Sequence, residues 1–238
     1  LRVPEELAAV YEPTAGYLLV EDCVAAHLSE ARRSGAQLLT DCLVTAWRDD
    51  AHGITVETSQ GTFSAENLMV TAGAWAGGLL ADPRVALTPL RKALFWYSAE
   101  KLAAACDLPT YLYEREGQVH YGFPSLDGRT IKVAEHSGGL AVADPLAVDQ
   151  AIDPAERERI EAFLAAGLPG VGGSPLEHAT CLYTVTPDHH FVVDRHPRSE
   201  RVVYAAGLSG HGFKFATVLG EVLADLATEG QTAHPIGF

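Results

Sequence analysis

The sequence predicts an α/β protein of the mixed (α+β) kind, a partial α/β layer interrupted by a second, mostly antiparallel sheet. Three observations predict it. Residues 201–230 read as a short apolar strand, a glycine turn and an amphipathic helix. Residues 20–75 read as helix, strand, hairpin, strand and glycine turn. Between them, from Leu87, the texture changes to aromatic-rich, period-two segments separated by Pro and Gly. The chain thus leaves an α/β layer near residue 86 and returns to it at its end.

Taken in order, residues 11–16, YEPTAG, form a turn around Pro13 and Gly16. Val20–Arg33 is predicted as a helix with Val24, Leu28 and Ala31 on one face, ended by Gly35. Gln37–Trp47 is predicted as a strand. Ile54–Thr58 and Thr62–Ala65 flank Gln60-Gly61 as a hairpin, a β-meander on the layer, and Leu68–Thr71 runs into the turn Gly73-Ala74-Trp75. The segments LTPLRKALFWYSAE, TYLYERE, QVHYGFPS and RTIKVAEH supply the antiparallel sheet. Asp153 caps a helix with Pro154 at its first position and Glu156 placed for a capping-box pair; Ile160, Phe163 and Leu164 form its inner face. Residues 168–173 are loop, and 191–194 are strand. Val202–Ala206 then make a buried strand, Gly207, Gly210 and Gly212 a turn, and Val218, Leu219, Val222, Leu223 and Leu226 a helical face ended by Gly230. Strand, glycine turn and helix present backbone N–H groups to an anion or an electron-rich ring edge. Lys214 places a positive charge in that turn, against the helix dipole. No internal repeat or low-complexity tract is visible.

The 238 residues carry a formal charge of −14, from 17 basic and 31 acidic side chains. With no Lys/Arg-rich run, this argues against nucleic acid and an anionic membrane surface as partners. No apolar run approaches the length of a membrane span, and the start LRVPEEL has neither part of a secretory leader. Cys23, Cys42, Cys106 and Cys181 are scattered without a CxxC, so a disulfide framework is not expected and a cytoplasmic setting is. Leu1 in place of Met leads us to expect a truncated or processed chain.

GLSGHGFKF at 207–215, preceded by CLYTVTPDHHFVVD at 181–194, resembles the C-terminal half of the monomeric sarcosine oxidase and N-methyltryptophan oxidase family, flavin amine oxidases of the D-amino-acid-oxidase type. The likeness runs from about Tyr11 to Phe238, and the spacing of Tyr121, Lys132, His136, Cys181 and Lys214 fits the family. It implies a partial FAD-binding, Rossmann-like layer with a β-meander at 1–86, a substrate domain at 87–180 and a return to the FAD-binding domain at 181–238. A GxGxxG turn for the pyrophosphate is not present. Gly207-x-x-Gly210-x-Gly212 is not that fingerprint, which in the family lies upstream, so the expectation is a portion lacking the N-terminal segment.

The resemblance also assigns residues. Cys181 is implied as the flavin-linking residue; that needs a thiolate, which a nearby Lys would favour. Its plain alternative is a buried structural cysteine. Lys132 alternates with Ile131 and Val133, so it points to the opposite face from theirs; the resemblance places it near the flavin ring, where a cation would help oxygen accept an electron. Its alternative is a solvent-facing strand Lys. Lys214 would bind the substrate carboxylate. Tyr121 and His136 would face the substrate amine and Tyr183 would border the pocket; polar-tipped core residues are the alternative. Val133-Ala134-Glu135 departs from the family's form. Gly210, His211, Gly212, Phe213 and Lys214 would line the cofactor, and Val44, Gly73, Ala74 and Trp75 its adenosine part. Asp188, His189, His190, Asp194 and His196 could be read as a metal cluster, but neighbouring strand His residues point apart and zinc-type spacings are missing, so no metal is expected. One of His189 and His190 is expected buried near the flavin edge.

The implied function is FAD-dependent oxidation of the C–N bond of a secondary amine or N-methyl amino acid, with oxygen as acceptor and hydrogen peroxide as product. Two alternatives stay open. One is a non-catalytic fragment unable to hold flavin by itself, whose exposed strand edge would invite dimerisation. The other is a flavin dehydrogenase subunit that passes electrons to a partner.

Overall fold

A computed structural model of the chain describes residues 1–102 and 105–237. Residues 103–104, inside the expected 87–180 domain, and Phe238, the end of the expected likeness, lie outside the described residues. The chain divides into two compact units, Leu1–Tyr17 with Leu90–Leu182, and Leu18–Pro89 with Tyr183–Phe238. The sequence pattern groups residues 1–17 with 18–86. In the structure they join the other unit, where the Arg2 N–H donates to the Gly167 carbonyl at 2.8 Å and Tyr17 meets Phe123 edge-on at 6.4 Å.

In the second of these units, helix α1 spans Val20–Arg33, with acidic residues in its first turn and Arg32 and Arg33 in its last, as the helix dipole favours. None of its residues is buried, so the face carrying Val24, Leu28 and Ala31 covers no core here. The strand expected over 37–47 is instead β1, Val44–Asp50. Only that part reaches β2, Gly53–Thr58, which pairs with it and with β3, Gly61–Ala65, to make an antiparallel three-stranded sheet. Strand β4, Leu68–Val70, leads through a 3₁₀ turn at Gly73–Trp75 into the short helix α2, Ala76–Leu80.

The first unit is built on β5, Thr88–Ser98, β6, Tyr111–Arg115, β7, Gln118–Gly122, β8, Thr130–Glu135, β9, Leu140–Ala141, and β10, Glu177–Val185. Their order is β10-β5-β8-β7-β6, with β9 also on β5. The pairs β5–β8, β5–β9, β6–β7 and β7–β8 are antiparallel. Helix α3, Pro154–Gly167, covers one face; Asp153 caps it by accepting from the Ala155 N–H at 2.8 Å. Ile160, Phe163 and Leu164 pack on Phe95, Ile131 and Val133. Each such buried side chain contributes about 1.5–3 kcal/mol. Glu156 does not close the expected capping box. It is buried in an ion pair with Arg91, because a buried guanidinium needs a counter-charge more than a helix end needs a second cap.

The second unit is completed by β11, Val192–His196, β12, Ser199–Ala206, and α4, Ala216–Thr228. Strand β12 lies between β11, antiparallel, and β4, parallel. Val202, Tyr204 and Ala206 face a core with Ile54, Val70 and Leu80; Val203 and Ala205 face Val222, Leu223 and Leu226 of α4. Gly230, at φ +80°, ends α4 with its N–H on the Asp225 carbonyl at 3.1 Å. The fold is thus mixed α/β, with antiparallel pairs in its sheets and a parallel pairing of β4 with β12. Among the described residues, no helix is long and apolar enough to cross a membrane.

Candidate functional site

Strands β5, β7 and β8 carry the chemistry of the first unit. Period-two alternation divides β8: Ile131 and Val133 are fully buried toward α3, and Lys132 points to the other face, half-buried. The register sets Trp96 directly across from Lys132 and Tyr121 across from Ala134. The Lys132 ammonium lies 5.2 Å from the centre of the Trp96 ring and 5.5 Å from that of Phe123, and among the described residues it makes no hydrogen bond or ion pair. Tyr121 meets the Phe123 ring edge-on at 5.9 Å and the His136 ring at 6.5 Å. His136 follows β8 directly, and its N–H donates to the Val119 carbonyl at 2.7 Å. Lys132, Tyr121 and His136 therefore share one side of the sheet.

Cys181, on β10, is half-buried and unpaired as a disulfide. Burial pushes its thiol above the usual range; Lys132, and after it Lys92, pull it down without overcoming burial. Both lysines favour the thiolate, yet burial leaves the thiol harder to ionise than a free one.

In Glu135, where the sequence departs from the family's form, the carboxylate accepts from Arg159 Nε at 2.7 Å and from Ser137 Oγ at 2.8 Å. It stays ionised: burial would raise its pKa, but those two bonds and the charge of Arg159 hold it below the usual value. Glu135 is therefore a bracket for the turn after His136.

In the second unit the residues around 183–215 pack locally. The Ser209 N–H donates to the Thr184 carbonyl at 3.0 Å, and Gly207, Ser209 and Gly210 all take positive φ, at +61°, +48° and +80°. A Cβ on Gly210 would stand 2.6 Å from Tyr183 Cζ and nearer still to Cδ2 and Cε2, so Gly is required where the turn passes that ring. Phe191 meets the His211 ring at a tilt, 4.8 Å between centres, and the Phe215 ring edge-on at 5.5 Å. Lys214 is exposed, its ammonium donating to the His211 carbonyl at 2.7 Å over the Phe215 ring. Gly212 is buried, and Phe213 is exposed. Val44 and Trp75 are exposed, and Gly73 and Ala74 lie in the 3₁₀ turn after β4.

The histidine group resolves differently from expectation. Residues 187–190 are a turn, not a strand: the Asp188 carboxylate accepts from Thr186 Oγ1 at 2.8 Å and the His190 N–H at 3.1 Å. His189, at φ +60°, and His190 are both exposed, so neither is the buried histidine expected. The buried one is His196, whose Nε2 donates to the Leu80 carbonyl at 2.9 Å while Nδ1 accepts from the Arg198 N–H at 3.3 Å. That pattern fits a neutral, satisfied imidazole. Among the described residues, no group of three or more His, Cys, Asp and Glu could hold a metal ion.

Sequence reasoning did not single out Trp96, Phe123 or Lys92. The first two follow from strand register, and Lys92 from a burial that a lone Lys in an apolar strand does not announce.

Residues 2–226 match the family model described as FAD dependent oxidoreductase. The chain is 37% identical over its whole length to a monomeric sarcosine oxidase of Bacillus sp. (strain NS-129), covering 63% of that protein. It is 35% identical over 96% of its length to an N-methyl-L-tryptophan oxidase of Escherichia coli O139:H28, covering 61% of it. The chain therefore spans less than two thirds of the length of these relatives. Its fold is similar to that of NikD, an amino acid oxidase of nikkomycin biosynthesis, with TM-score 0.77 at 24% identity, covering 91% of this chain and 58% of that one. With the family model matched from one end of the chain almost to the other, the chain belongs to the FAD dependent oxidoreductase family.

Proposed function

We propose that this chain works as the substrate-facing portion of a flavin amine oxidase that oxidises the C–N bond of a secondary amine or N-methyl amino acid, with oxygen as acceptor and hydrogen peroxide as product. Family membership and the sarcosine and N-methyltryptophan oxidases among its relatives support the reaction class. The observation that carries the reading furthest is Lys132: a half-buried ammonium with ring faces but no hydrogen-bonded partner among the described residues, electrostatically coupled to a half-buried thiol. A cation left unsatisfied in this way costs stability unless something else meets it. An electron-rich ring seated beside Cys181 would do so, and in this respect the residues present fit the cofactor.

Bound FAD supplies the electron-transfer chemistry. The chain's residues supply position and charge. Cys181 would be the residue that holds the flavin covalently. Lys132 holds positive charge where oxygen is reduced. Tyr121 and His136, on one side of the sheet, orient the substrate amine, and a neutral His136 accepts a proton from it. Lys214 pairs with the substrate carboxylate, giving up its bond to the His211 carbonyl. Tyr183 borders the substrate, and the 210–213 turn carries backbone toward the cofactor. In this reading Leu90–Leu182 is the substrate domain and the second unit the FAD-binding one.

The test is an absorption spectrum of the purified chain before and after acid precipitation, with Cys181→Ser alongside. Yellow colour that stays with the precipitate, and is lost in Cys181→Ser, supports the tether. Colour released equally from both rejects it. A colourless chain favours the alternative in which these 238 residues do not hold flavin by themselves.

A further inference from the structure

Lys92 is 3% exposed in the middle of β5, in an apolar segment where a hydrophobic side chain would serve packing better. Its neighbour Arg91 turns to α3 and Glu156; by strand alternation Lys92 points to the other face. There its ammonium donates to three consecutive carbonyls: His136 O at 3.0 Å, Ser137 O at 2.6 Å and Gly138 O at 2.9 Å. Three acceptors within one turn match the three donors of an ammonium. The backbone is shaped for this. Gly138 and Gly139 take φ of +62° and +118°, and a Cβ on Gly139 would stand 3.0 Å from Lys92 Cδ and 3.2 Å from the Arg91 carbonyl. The turn lies directly on the lysine stem.

The same turn is held from its other side. Ser137 Oγ donates to Glu135, itself paired with Arg159, and accepts from the Val119 N–H at 3.0 Å. The His136 N–H is fixed on the Val119 carbonyl. Burial is the main cause that lowers the pKa of Lys92, with a smaller push from Arg159; Glu135, Cys181 and Glu156 oppose that fall. A buried ammonium satisfied by main-chain carbonyls is costly to place and strongly directional once placed.

We infer that Lys92 is a positioning residue: it fixes the carbonyl end of the His136 peptide frame, whose N–H end is held by the Val119 carbonyl, and so holds in place the backbone from which the His136 imidazole extends. The inference rests on the reading of His136 as the amine-facing group. Its test does not need that reading. The sequence has four lysines, Lys92, Lys101, Lys132 and Lys214, so the chain labelled at lysine ¹⁵Nζ gives four ammonium signals. We expect one, assigned by its loss in Lys92→Arg, to resist exchange with water at neutral pH. In Lys92→Met, which keeps the length and drops the donors, amide exchange at His136 and Val119 should accelerate on the order of tenfold, and Lys92→Arg should restore the slow rates. A wild-type chain with no protected ammonium overturns the inference, and that reading stands even if Lys92→Met does not fold. Unchanged exchange at His136 and Val119 in a folded Lys92→Met overturns it as well. The role of His136 is read separately, from kcat and KM of His136→Gln in the flavin-loaded protein, and its failure leaves the amide result intact.

Discussion

Replacing Gly210 by Ala tests how tightly the 207–212 turn is built around Tyr183. The substitution does two things. It places a side chain at φ +80°, a left-handed conformation that costs about 1–2 kcal/mol for a non-glycine residue, less about 0.4–1 kcal/mol recovered from a stiffer unfolded chain. It also drives a methyl group into the Tyr183 ring, an overpacking that costs about 1–3 kcal/mol. Gly73→Ala separates the two effects, because Gly73 lies in the same unit at φ +53° and a methyl group added there would meet nothing within 4 Å. Gly73→Ala should therefore cost about 1 kcal/mol, and Gly210→Ala about 1–3 kcal/mol more. The assay is urea unfolding in a Trp96→Phe background, which leaves emission from Trp47 and Trp75, both in residues 18–89. Trp47 is a local reporter: its Nε1 donates to the Leu79 carbonyl at 2.8 Å and its ring meets His196 edge-on at 4.9 Å. Equal losses for the two variants would refute the claim that Tyr183 and Gly210 are packed against each other.

Three further outcomes are expected. Lys132→Met should slow reoxidation of the reduced flavin by oxygen while anaerobic reduction by amine persists; unchanged reoxidation in stopped-flow would remove Lys132 from the oxygen half-reaction. Glu156→Gln leaves the buried Arg91 without its counter-charge, though still bonded to the Asp149 and Ala151 carbonyls, and should destabilise residues 90–182 by about 3 kcal/mol, the low end for a broken buried pair; Trp96 emission reads the shift in a chain without other tryptophans. Asp82, buried and bonded by Arg84 and by the Tyr204 hydroxyl at 3.2 Å, has its carboxyl pulled from 3.8 down to about 2, chiefly by the Arg84 hydrogen bond. A depressed carboxyl stabilises the fold above its ordinary pKa and loses that contribution as pH falls toward the folded value. Stability of the second unit should therefore drop between pH 3.8 and about 2, and Asp82→Asn should flatten that part of the curve followed by Trp47 emission.

What the sequence carries is mostly local. Gln60-Gly61 is a turn signal, and the β2–β3 hairpin closes there. Asp153-Pro154 announces the start of α3, and the Asp153 side chain caps it. The run 202–206, the glycines and the face from Val218 to Leu226 are each short-range patterns, and β12 and α4 follow them. Tertiary choices are less visible. Residues 37–43 have the apolar content of a strand, but only 44–50 find a partner in β2, and pairing is what makes a strand. Glu156 reads as a helix cap from its spacing, while its actual partner, Arg91, stands 65 residues away. At the candidate site, alternation alone puts Lys132 opposite Ile131 and Val133, but the Trp96 and Phe123 rings over it come from strand register. Lys92 shows the limit most clearly: in sequence it is an ordinary strand lysine, and its three acceptors lie 44, 45 and 46 residues on.

The parallel pairing of β4 with β12 joins Leu68 to Val202 and Val70 to Tyr204, and so sets the order in which the chain can fold as it is made. Translation at roughly 5–20 residues per second leaves β4 without its partner for about 7–26 s, while all of residues 90–182 emerge. During that interval Ile54, Val70 and Leu80 have no β12 to cover them. Contacts so distant along the chain form slowly, since loop closure is unfavourable before any pairing repays it. The inserted unit, most of whose strand pairs lie closer together in sequence, is free to fold in the meantime and to bring the two ends of its host within reach of each other. A destabilising change in the insertion should then lower the yield of folded β4–β12 sheet during synthesis, even where the finished protein tolerates it.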